Sequence, residues 1–242
     1  MADRSRVIRF VVKPLVFLAA LGPAVYLIWA ALTNHLSANP LSDVTNETGV
    51  WTLRFLCITL LLTPLRKVTN WNLVSPFRRM MGLYAFFYGA LHFLTYLILD
   101  RFAGLVDFPD GMVSFTTVKR LVAYSVGDIA MRPFITIGFF AFLTMVPLAV
   151  TSTTGWIRRL GGKKWAALHR LVYATGVAGV VHYWWLVKAD IQRPMIYGAI
   201  VALLLGVRLY YRARRAAVSG PPTARPSASP SASALDRQSA RG

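Results

Sequence analysis

Three histidines lie inside apolar stretches of the chain: His92, His169 and His182. An ionisable side chain is costly to bury in a membrane, so such residues are candidates for a functional role. Neutral imidazole is also the commonest side-chain ligand for metals. Thirteen residues separate His169 from His182, which is roughly 20 Å along one helix and about two thirds of a hydrocarbon core. The spacing favours two redox centres at two depths of a membrane.

Each histidine also has an ordinary explanation. A lone histidine in a membrane helix can bond a backbone carbonyl or line a water pocket. Three of the four histidines lie in apolar segments, and two of them fall at matched depth, which favours a cofactor site over three separate coincidences. The fourth, His35, lies in a predicted outer loop and is explained by solvation. Trp184 and Trp185, beside His182, are typical of interfacial belt residues.

The composition is that of a membrane protein. The 242 residues are 56% hydrophobic and 15% charged, with a mean hydropathy of +0.51, and soluble domains rarely combine so few charges with such long apolar runs. The net charge of +18 comes from basic residues clustered between apolar segments, so no nucleic-acid partner is expected. The single cysteine, Cys57, excludes an internal disulfide and a CxxC metal site.

Six apolar segments are close to the length of about 20 residues that a helix needs to cross a membrane. Lys and Arg concentrate in the N-terminal segment, in the 66–79 and 152–164 connections and after the sixth segment, whereas 33–48 has none. By the positive-inside rule, both termini are cytoplasmic. The sequence therefore predicts an all-α membrane protein, a bundle of six transmembrane helices. The predicted spans are 14–32, 49–65, 80–99, 133–151, 165–187 and 194–211.

This pattern divides the chain into three parts. Residues 1–13 form a basic cytoplasmic segment, residues 14–212 the six-helix bundle, and residues 213–242 a basic cytoplasmic tail rich in Pro, Ser and Ala. Such a tail composition cannot build a packed core and predicts disorder.

The long outer connection, 100–132, is predicted to contain a surface helix. Its segment 114–130 is too polar to cross a membrane and is typical of an amphipathic helix lying on the membrane surface. The connection also carries Asp107, Asp110 and Asp128. These carboxylates make it a candidate docking surface for a partner, although a passive cap explains it equally.

The predicted topology assigns a depth to each histidine. His92 falls in the outer half of the third span, His182 near the outer end of the fifth, and His169 near its cytoplasmic start. Two imidazoles that face each other at one level can hold the iron of a planar porphyrin from both sides. Thirteen residues turn a regular helix by about 220°, so His169 and His182 are not expected to share a face.

Two arginines stand at the level of His169. Arg78 precedes His92 by fourteen residues, which puts it on the same helix face at the inner level. Arginine is a poor iron ligand, but its guanidinium suits a haem propionate or a flavin phosphate. Arg79 and Arg170 can add to this anion site. A role in setting the topology explains Arg79 equally well.

At this point the chain resembles a known family. The stretches that carry the likeness are RRMMGLYAFFYGALHFLTY (78–96), LLLTPLR (60–66) and WAALHRLVYATGVAGVVHYWW (165–185). Together they resemble the ferric reductase-like transmembrane domain shared by NADPH oxidases and ferric reductases. The likeness covers residues 8–212 and is closest to the haem-binding membrane subunits of bacterial methionine sulfoxide reductase systems.

The resemblance implies a function and a set of cofactors. It implies haem b, one or two per chain, held by His92, His169 and His182, and FMN as a further cofactor. It also implies electrons from the quinone pool or a cytosolic flavin reductase, delivered across the bacterial inner membrane. The acceptor is a periplasmic molybdopterin enzyme that repairs oxidised methionine. The larger oxidases carry a second histidine in the third helix where Arg78 stands here, so the inner haem's second ligand is not named.

Other classes of protein are weighed against this one. A transporter of metal ions or protons would use the same histidines, but no Asp or Glu lies within a predicted span. An intramembrane metalloprotease is remote because the chain has no HExxH motif. It also has no GxGxxG fingerprint placed between a strand and a helix. We therefore expect a separate electron donor, and catalytic chemistry in a partner protein.

Overall fold

The computed structural model describes residues 6–102, 115–187 and 190–218, and most of them are helical. A π-helical turn at Ile8–Val12 leads into the first of eight α-helices in this part of the chain. A 3-10 turn at Asn72–Val74 precedes the third helix and a π-helical stretch at Thr95–Phe102 extends it. The helices are α1 (Lys13–Leu32), α2 (Pro40–Thr69), α3 (Ser75–Leu94), α4 (Phe115–Met131), α5 (Pro133–Val150), α6 (Thr154–Leu168), α7 (Leu171–Leu186) and α8 (Gln192–Val218).

Five helical stretches within the described residues are long and apolar enough to cross a membrane, which confirms the predicted all-α membrane fold. The predicted fifth span, 165–187, is not among them. Its helix, α7, has 16 residues, or about 24 Å at 1.5 Å per residue, against a hydrocarbon core of about 30 Å. Six spans with cytoplasmic termini therefore stay a prediction. The five stretches are Ile8–Leu32, Pro40–Thr69, Pro76–Ile98, Pro133–Val150 and Gln192–Arg214.

The outside of the helices is as apolar as the inside. Leu32 is 79% exposed, Phe10 70% and Leu203 66%. In water an exposed apolar surface of this kind would drive aggregation, whereas lipid chains solvate it. The protein is therefore a multi-pass membrane protein.

Helices α2 and α3 pack along each other around an aromatic core. Phe55 of α2 stacks on two tyrosines of α3, with ring centroids 5.4 Å from Tyr84 and 5.3 Å from Tyr88. The hydroxyls of both tyrosines form hydrogen bonds with α1, and that of Tyr84 donates to the Phe17 carbonyl at 2.7 Å. The tyrosines thus fix three helices to one another.

A proline in α1 is compensated by one of these tyrosines. Pro23 lies inside α1, and a proline disturbs the hydrogen bonds of the preceding turn. The Tyr88 hydroxyl accepts from the Ala24 N–H at 3.1 Å and donates to the Ala20 carbonyl at 2.8 Å. These two backbone groups are four residues apart, so the hydroxyl bridges one turn of the helix.

Helices α5 and α7 form the second closely packed pair. The Thr144 and Thr175 hydroxyls lie 2.7 Å apart between them. The Thr144 hydroxyl also lies within hydrogen-bond distance of the Ala141 carbonyl, and the Thr175 hydroxyl within that of the Leu171 carbonyl, so one of the two protons is shared between two acceptors. Both side chains are buried, so the polar contact is satisfied and fixes the register of the two helices.

The predicted fifth span, 165–187, is two helices. Helix α6 ends at Leu168 and α7 begins at Leu171. Between them the His169 N–H donates to the Trp165 carbonyl and the Arg170 N–H to the Ala167 carbonyl, which closes α6 with a tight turn. The expectation that one helix carries both His169 and His182 is therefore wrong, because the chain ends one helix at His169 before starting the next.

Two further boundaries differ from the predicted ones. Helix α2 begins at Pro40, nine residues before the predicted span, since the Asn39 side chain caps it by accepting from the Ser42 N–H at 3.1 Å. Asp43 and Glu47 consequently lie on the helix. The surface segment 114–130 was predicted as a helix, and α4 confirms this within one residue.

The chain divides into two compact units, one ending at Leu205 and one beginning at Gly206. The described part of the second unit, 206–218, is the helical end of α8, where the Tyr210 and Tyr211 rings meet edge to face. The predicted tail, 213–242, is helical as far as Val218, and the rest lies outside the described residues. So do Asp107 and Asp110 of the predicted docking surface.

Candidate functional site

His92 and His182 face each other across a cavity, although they come from different helices. His92 lies near the end of α3 and His182 near the end of α7. Their ring centroids are 6.1 Å apart and the ring planes are close to perpendicular, at 79°. The prediction that these two histidines reach the same depth on different helices agrees with this arrangement.

Each of the two imidazoles is held by a backbone carbonyl. His92 Nδ1 lies 2.8 Å from the Thr45 oxygen, and His182 Nδ1 lies 2.7 Å from the Phe134 oxygen. A carbonyl can only accept, so in both rings Nδ1 must carry the proton and donate it. In the neutral ring Nε2 then keeps its lone pair, which is the arrangement that a metal-ligating histidine needs.

The cavity between the histidines has a volume of about 550 Å³, within the range of about 300–1,000 Å³ that ligand sites occupy. Most of its wall is apolar. Charged side chains join it from helix ends and connections, namely Glu47, Arg132, Asp190 and Arg193. A ligand with a large apolar body and an anionic edge suits such a lining. The apolar wall includes Leu53, Leu56, Phe93, Phe139, Phe142 and Met145.

The separation of the two rings suits one metal ion between them. Imidazole nitrogens bind first-row metals at about 2 Å. Two such bonds and the radii of two five-membered rings put the centroids of opposed ligands about 6 Å apart, and the observed distance is 6.1 Å. With two imidazole nitrogens as the donor set and a wide apolar cavity around them, the residues fit an iron porphyrin.

His169 lies apart from this pair, at the junction of α6 and α7. Its ring stacks on Trp165 with centroids 3.9 Å apart, and its Nδ1 donates to the Trp165 carbonyl at 3.1 Å. The Trp165 indole N–H donates in turn to the Thr151 carbonyl at 2.9 Å. His169 Nε2 is buried and makes no well-formed hydrogen bond within the described residues. A buried nitrogen of this kind is a candidate ligand atom.

The structure places Arg78 near His169. Among the described residues, no second histidine lies beside it. The charge of Arg78 acts on the His169 ring, and its Nη1 donates to the Thr63 hydroxyl at 3.4 Å. Arg78 and Arg79 are both exposed on α3. The surroundings of His169 therefore include cationic side chains, and their role at a cofactor site stays a prediction.

One charged residue inside a predicted span is not among the predicted site residues. Arg54 lies in the segment 49–65, and its Nε donates to the Tyr197 hydroxyl at 3.1 Å. Its guanidinium carbon lies 4.4 Å from the centroid of the Trp51 ring. The signal was a single arginine in an apolar run, which marks a functional candidate by the same rule that singled out the histidines.

Helix α4 is bound to the cavity wall through one carboxylate. Asp128, predicted as part of a docking surface, forms an ion pair with Arg132 at 2.8 Å and accepts from the Tyr96 hydroxyl at 2.8 Å. Arg132 and Tyr96 both line the cavity. Asp128 therefore serves a structural role at the wall, and any contact with a partner would be additional.

The fold is that of a multi-pass helical membrane protein in which two histidines face each other across a largely apolar cavity. The family described as ferric reductase like transmembrane component matches residues 48–180, a range that holds His92 and His169 and ends two residues before His182. No solved structure is significantly similar to the chain.

Among characterised proteins, the chain is similar to several described as protein-methionine-sulfoxide reductase heme-binding subunit MsrQ. The one from Ralstonia nicotianae is 48% identical over 214 residues, 86% of this chain and 91% of that protein. The one from Herminiimonas arsenicoxydans is 46% identical over 202 residues, 83% and 85%. The one from Xanthomonas euvesicatoria is 42% identical over 224 residues, 88% and 94%. The chain therefore belongs to the ferric reductase-like transmembrane family and, within it, to the MsrQ family.

Proposed function

We propose that this protein is a haem b electron-transfer subunit of a bacterial methionine sulfoxide reductase system. The observation that carries the proposal is the facing pair His92 and His182, 6.1 Å apart, each with Nδ1 bonded to a carbonyl. The names and similarity of the MsrQ relatives support it.

His92 and His182 are the proposed ligands of the outer haem. When bound, the haem iron supplies one-electron chemistry at a potential that its axial ligands tune. The phenylalanines of the cavity wall exclude water, which keeps the surroundings of low polarity. Arg193 lines the cavity close to Tyr183, so it is a candidate partner for a propionate.

His169 is the proposed ligand of a second, inner haem. Support comes from its buried Nε2, which makes no well-formed hydrogen bond although the Leu148 carbonyl lies near the ring, and from the charge of Arg78 acting on the ring. Arg78 and Arg79 are proposed to bind anionic groups at this level, either a haem propionate or the phosphate of FMN. Arginine has no lone pair to offer iron at neutral pH, so its role there is electrostatic.

The direction of electron flow follows from the proposed topology. With six spans and both termini cytoplasmic, His169 lies towards the cytoplasm, and the His92/His182 pair lies towards the periplasm. Electrons would enter from the quinone pool or a cytosolic flavin reductase at the bacterial inner membrane. They would leave to a periplasmic molybdopterin enzyme that reduces the sulfoxide of oxidised protein methionines.

The test is haem quantification in the wild type and in four single histidine variants. We expect purified wild type to show a Soret band and split visible bands after dithionite reduction. His92→Ala and His182→Ala should each lose the same haem, whereas His169→Ala should lose a different one. His35→Ala is the matched control, because His35 is exposed and its ring bonds to Thr33 and stacks on Trp29, away from the cavity. A colourless wild type from haem-replete cells would overturn the proposal.

A second experiment tests the acceptor. Reduced wild-type protein should be reoxidised by a periplasmic molybdopterin sulfoxide reductase only when methionine sulfoxide is present. Two electrons and two protons convert each sulfoxide to the thioether and water. Reoxidation at the same rate without the sulfoxide would show that the reaction is not coupled to repair.

A further inference from the structure

Each of the two facing imidazoles packs closely against a glycine of a neighbouring helix, at its Nδ1–Cε1 bond. A Cβ atom placed on Gly49 of α2 would lie 3.1 Å from both Nδ1 and Cε1 of His92. A Cβ placed on Gly138 of α5 would lie 2.7 Å from the same two atoms of His182. Real Cβ atoms essentially never approach other heavy atoms within 3.0 Å. Any other residue at position 138 would therefore displace the His182 ring.

Each of the two glycines lies four residues after the carbonyl that holds the neighbouring ring. His92 bonds to the carbonyl of Thr45, four residues before Gly49, and His182 bonds to that of Phe134, four residues before Gly138. In an α-helix the Cα–Cβ bond tilts towards the N-terminus, so a side chain covers the turn before it. Without a Cβ at the fourth position, the carbonyl is open to a donor from the side.

We call the pair Thr45 and Gly49 the α2 seat, and the pair Phe134 and Gly138 the α5 seat. The two seats lie on different helices and on opposite sides of the cavity. Threonine and phenylalanine share nothing but the backbone carbonyl that each contributes. The common features are thus a carbonyl, a missing side chain four residues later, and an imidazole that occupies the gap.

Two other glycines of the cavity wall do not form such seats. A Cβ on Gly89 would meet the flexible Met145 side chain at 3.2 Å, and a Cβ on Gly179 would meet Leu53 at 3.6 Å, an ordinary contact. Among the described glycines, only Gly49 and Gly138 would place a Cβ within 4 Å of a histidine ring. The close approach is therefore specific to the two facing imidazoles.

We propose that Gly49 and Gly138 are positioning residues for the haem ligands. This inference rests on the proposed function. Each seat keeps the proton on Nδ1, directs Nε2 into the cavity and fixes the plane of its ring. The bond from Nδ1 to the carbonyl also makes Nε2 a stronger donor to the metal, as hydrogen bonds to the outer nitrogen of a ligating histidine do.

The expected effects of alanine at the two seats differ in size. Alanine favours an α-helix over glycine, so the substitution does not weaken α2 or α5 themselves. In Gly138→Ala the new methyl group displaces the His182 ring, weakens its bond to Phe134 and makes it a poorer donor. The ferric state then loses stabilisation and the midpoint potential rises. Gly49→Ala should act in the same direction but less, because its overlap with His92 is smaller.

The experiment compares full-length wild type, Gly138→Ala, Gly49→Ala and the control Gly82→Ala. Gly82 is matched because it also lies in a packed helix, yet a Cβ there meets only Thr59, at 3.6 Å. Each protein is assayed by pyridine haemochrome, redox titration and the EPR gmax of the low-spin ferric haem, which reports the angle between the two imidazole planes. We expect lower haem content, a raised potential and a shifted gmax in Gly138→Ala, smaller changes in Gly49→Ala, and wild-type values in Gly82→Ala.

The outcomes separate this inference from the proposed function. A wild type that holds no haem would overturn both. A haem-loaded wild type with unchanged potential and gmax in both seat variants would overturn the inference alone. Equal changes in Gly82→Ala would also overturn it, because helix packing would then be the cause. If Gly138→Ala fails to accumulate, Gly49→Ala decides by the same three measurements.

Discussion

Several energies of similar size act on Arg54, the arginine inside the apolar part of α2. A charge at the centre of a membrane helix costs about 2.5–3.5 kcal/mol on the insertion scale. The bond from Arg54 to the Tyr197 hydroxyl offsets about 1.5–3 kcal/mol. The contact with the Trp51 ring offsets up to about 2 kcal/mol when it is dry. The arginine and its partners are therefore near balance, and the balance depends on every partner being present.

Because of this balance, we expect two substitutions to change the free energy of unfolding by different amounts. Tyr197→Phe leaves the Arg54 charge without its hydroxyl partner and should lower the free energy of unfolding by about 1.5–3 kcal/mol. Arg54→Leu removes the charge together with its cost and should change stability by less than about 1 kcal/mol. Reversible unfolding in mixed detergent micelles measures both, with Tyr26→Phe at an exposed tyrosine as the control. A larger loss in Arg54→Leu than in Tyr197→Phe would contradict the balance.

At the scale of helices, the bridge that the Tyr88 hydroxyl forms near Pro23 predicts a second difference in stability between two substitutions. Tyr88→Phe removes a hydroxyl that satisfies both the Ala24 N–H and the Ala20 carbonyl. Two buried backbone groups then lose a partner, and we expect a loss of about 1–3 kcal/mol in the free energy of unfolding. Tyr84→Phe removes one bond to the Phe17 carbonyl, so its effect should be smaller.

Thermal unfolding in detergent, followed by circular dichroism, compares these two variants. Adding Pro23→Ala to Tyr88→Phe should recover part of the loss, because alanine restores a backbone donor to the turn. Equal losses in Tyr88→Phe and Tyr84→Phe would contradict this prediction, because the Tyr88 bridge would then stabilise the fold no more than a single hydrogen bond does.

The helices were predictable from sequence because hydropathy is a local property. Five predicted spans agree with helices of the structure to within a few residues at most ends, and depth alone paired His92 with His182. The break at His169 was not predictable, since the apolar run continues through it. The partners of Arg54 and the seats at Gly49 and Gly138 were also hidden. They depend on contacts between helices that lie far apart in sequence.

On the scale of the whole molecule, the two ends of the bundle differ in charge and in the histidines that they hold. The basic residues between apolar segments collect at the end that holds His169, which favours the cytoplasmic side by the positive-inside rule. The cavity with His92 and His182 lies at the end where α2 begins and α7 stops. The proposed electron path runs between these two levels, so the path of α7 is the decisive feature of the proposed topology.

Single-cysteine labelling tests that path directly. Cys57 is buried and is the single cysteine of the chain, so Cys57→Ala provides a background without reactive thiols. If α7 crosses the membrane, His35→Cys and Ile191→Cys should react with an impermeant maleimide in intact spheroplasts. Lys163→Cys and Arg214→Cys should react only after lysis.

The position at Ile191 decides between six spans and five. A helix of 16 residues reaches about 24 Å, and a membrane can thin locally or the flanking residues can extend to its surface at modest cost. We therefore expect Ile191→Cys to label with His35→Cys. Haem content equal to that of Cys57→Ala shows that each variant is folded. Labelling of Ile191→Cys only after lysis, together with Lys163→Cys, would place both ends of α7 on one side and exclude electron transfer along it across the membrane.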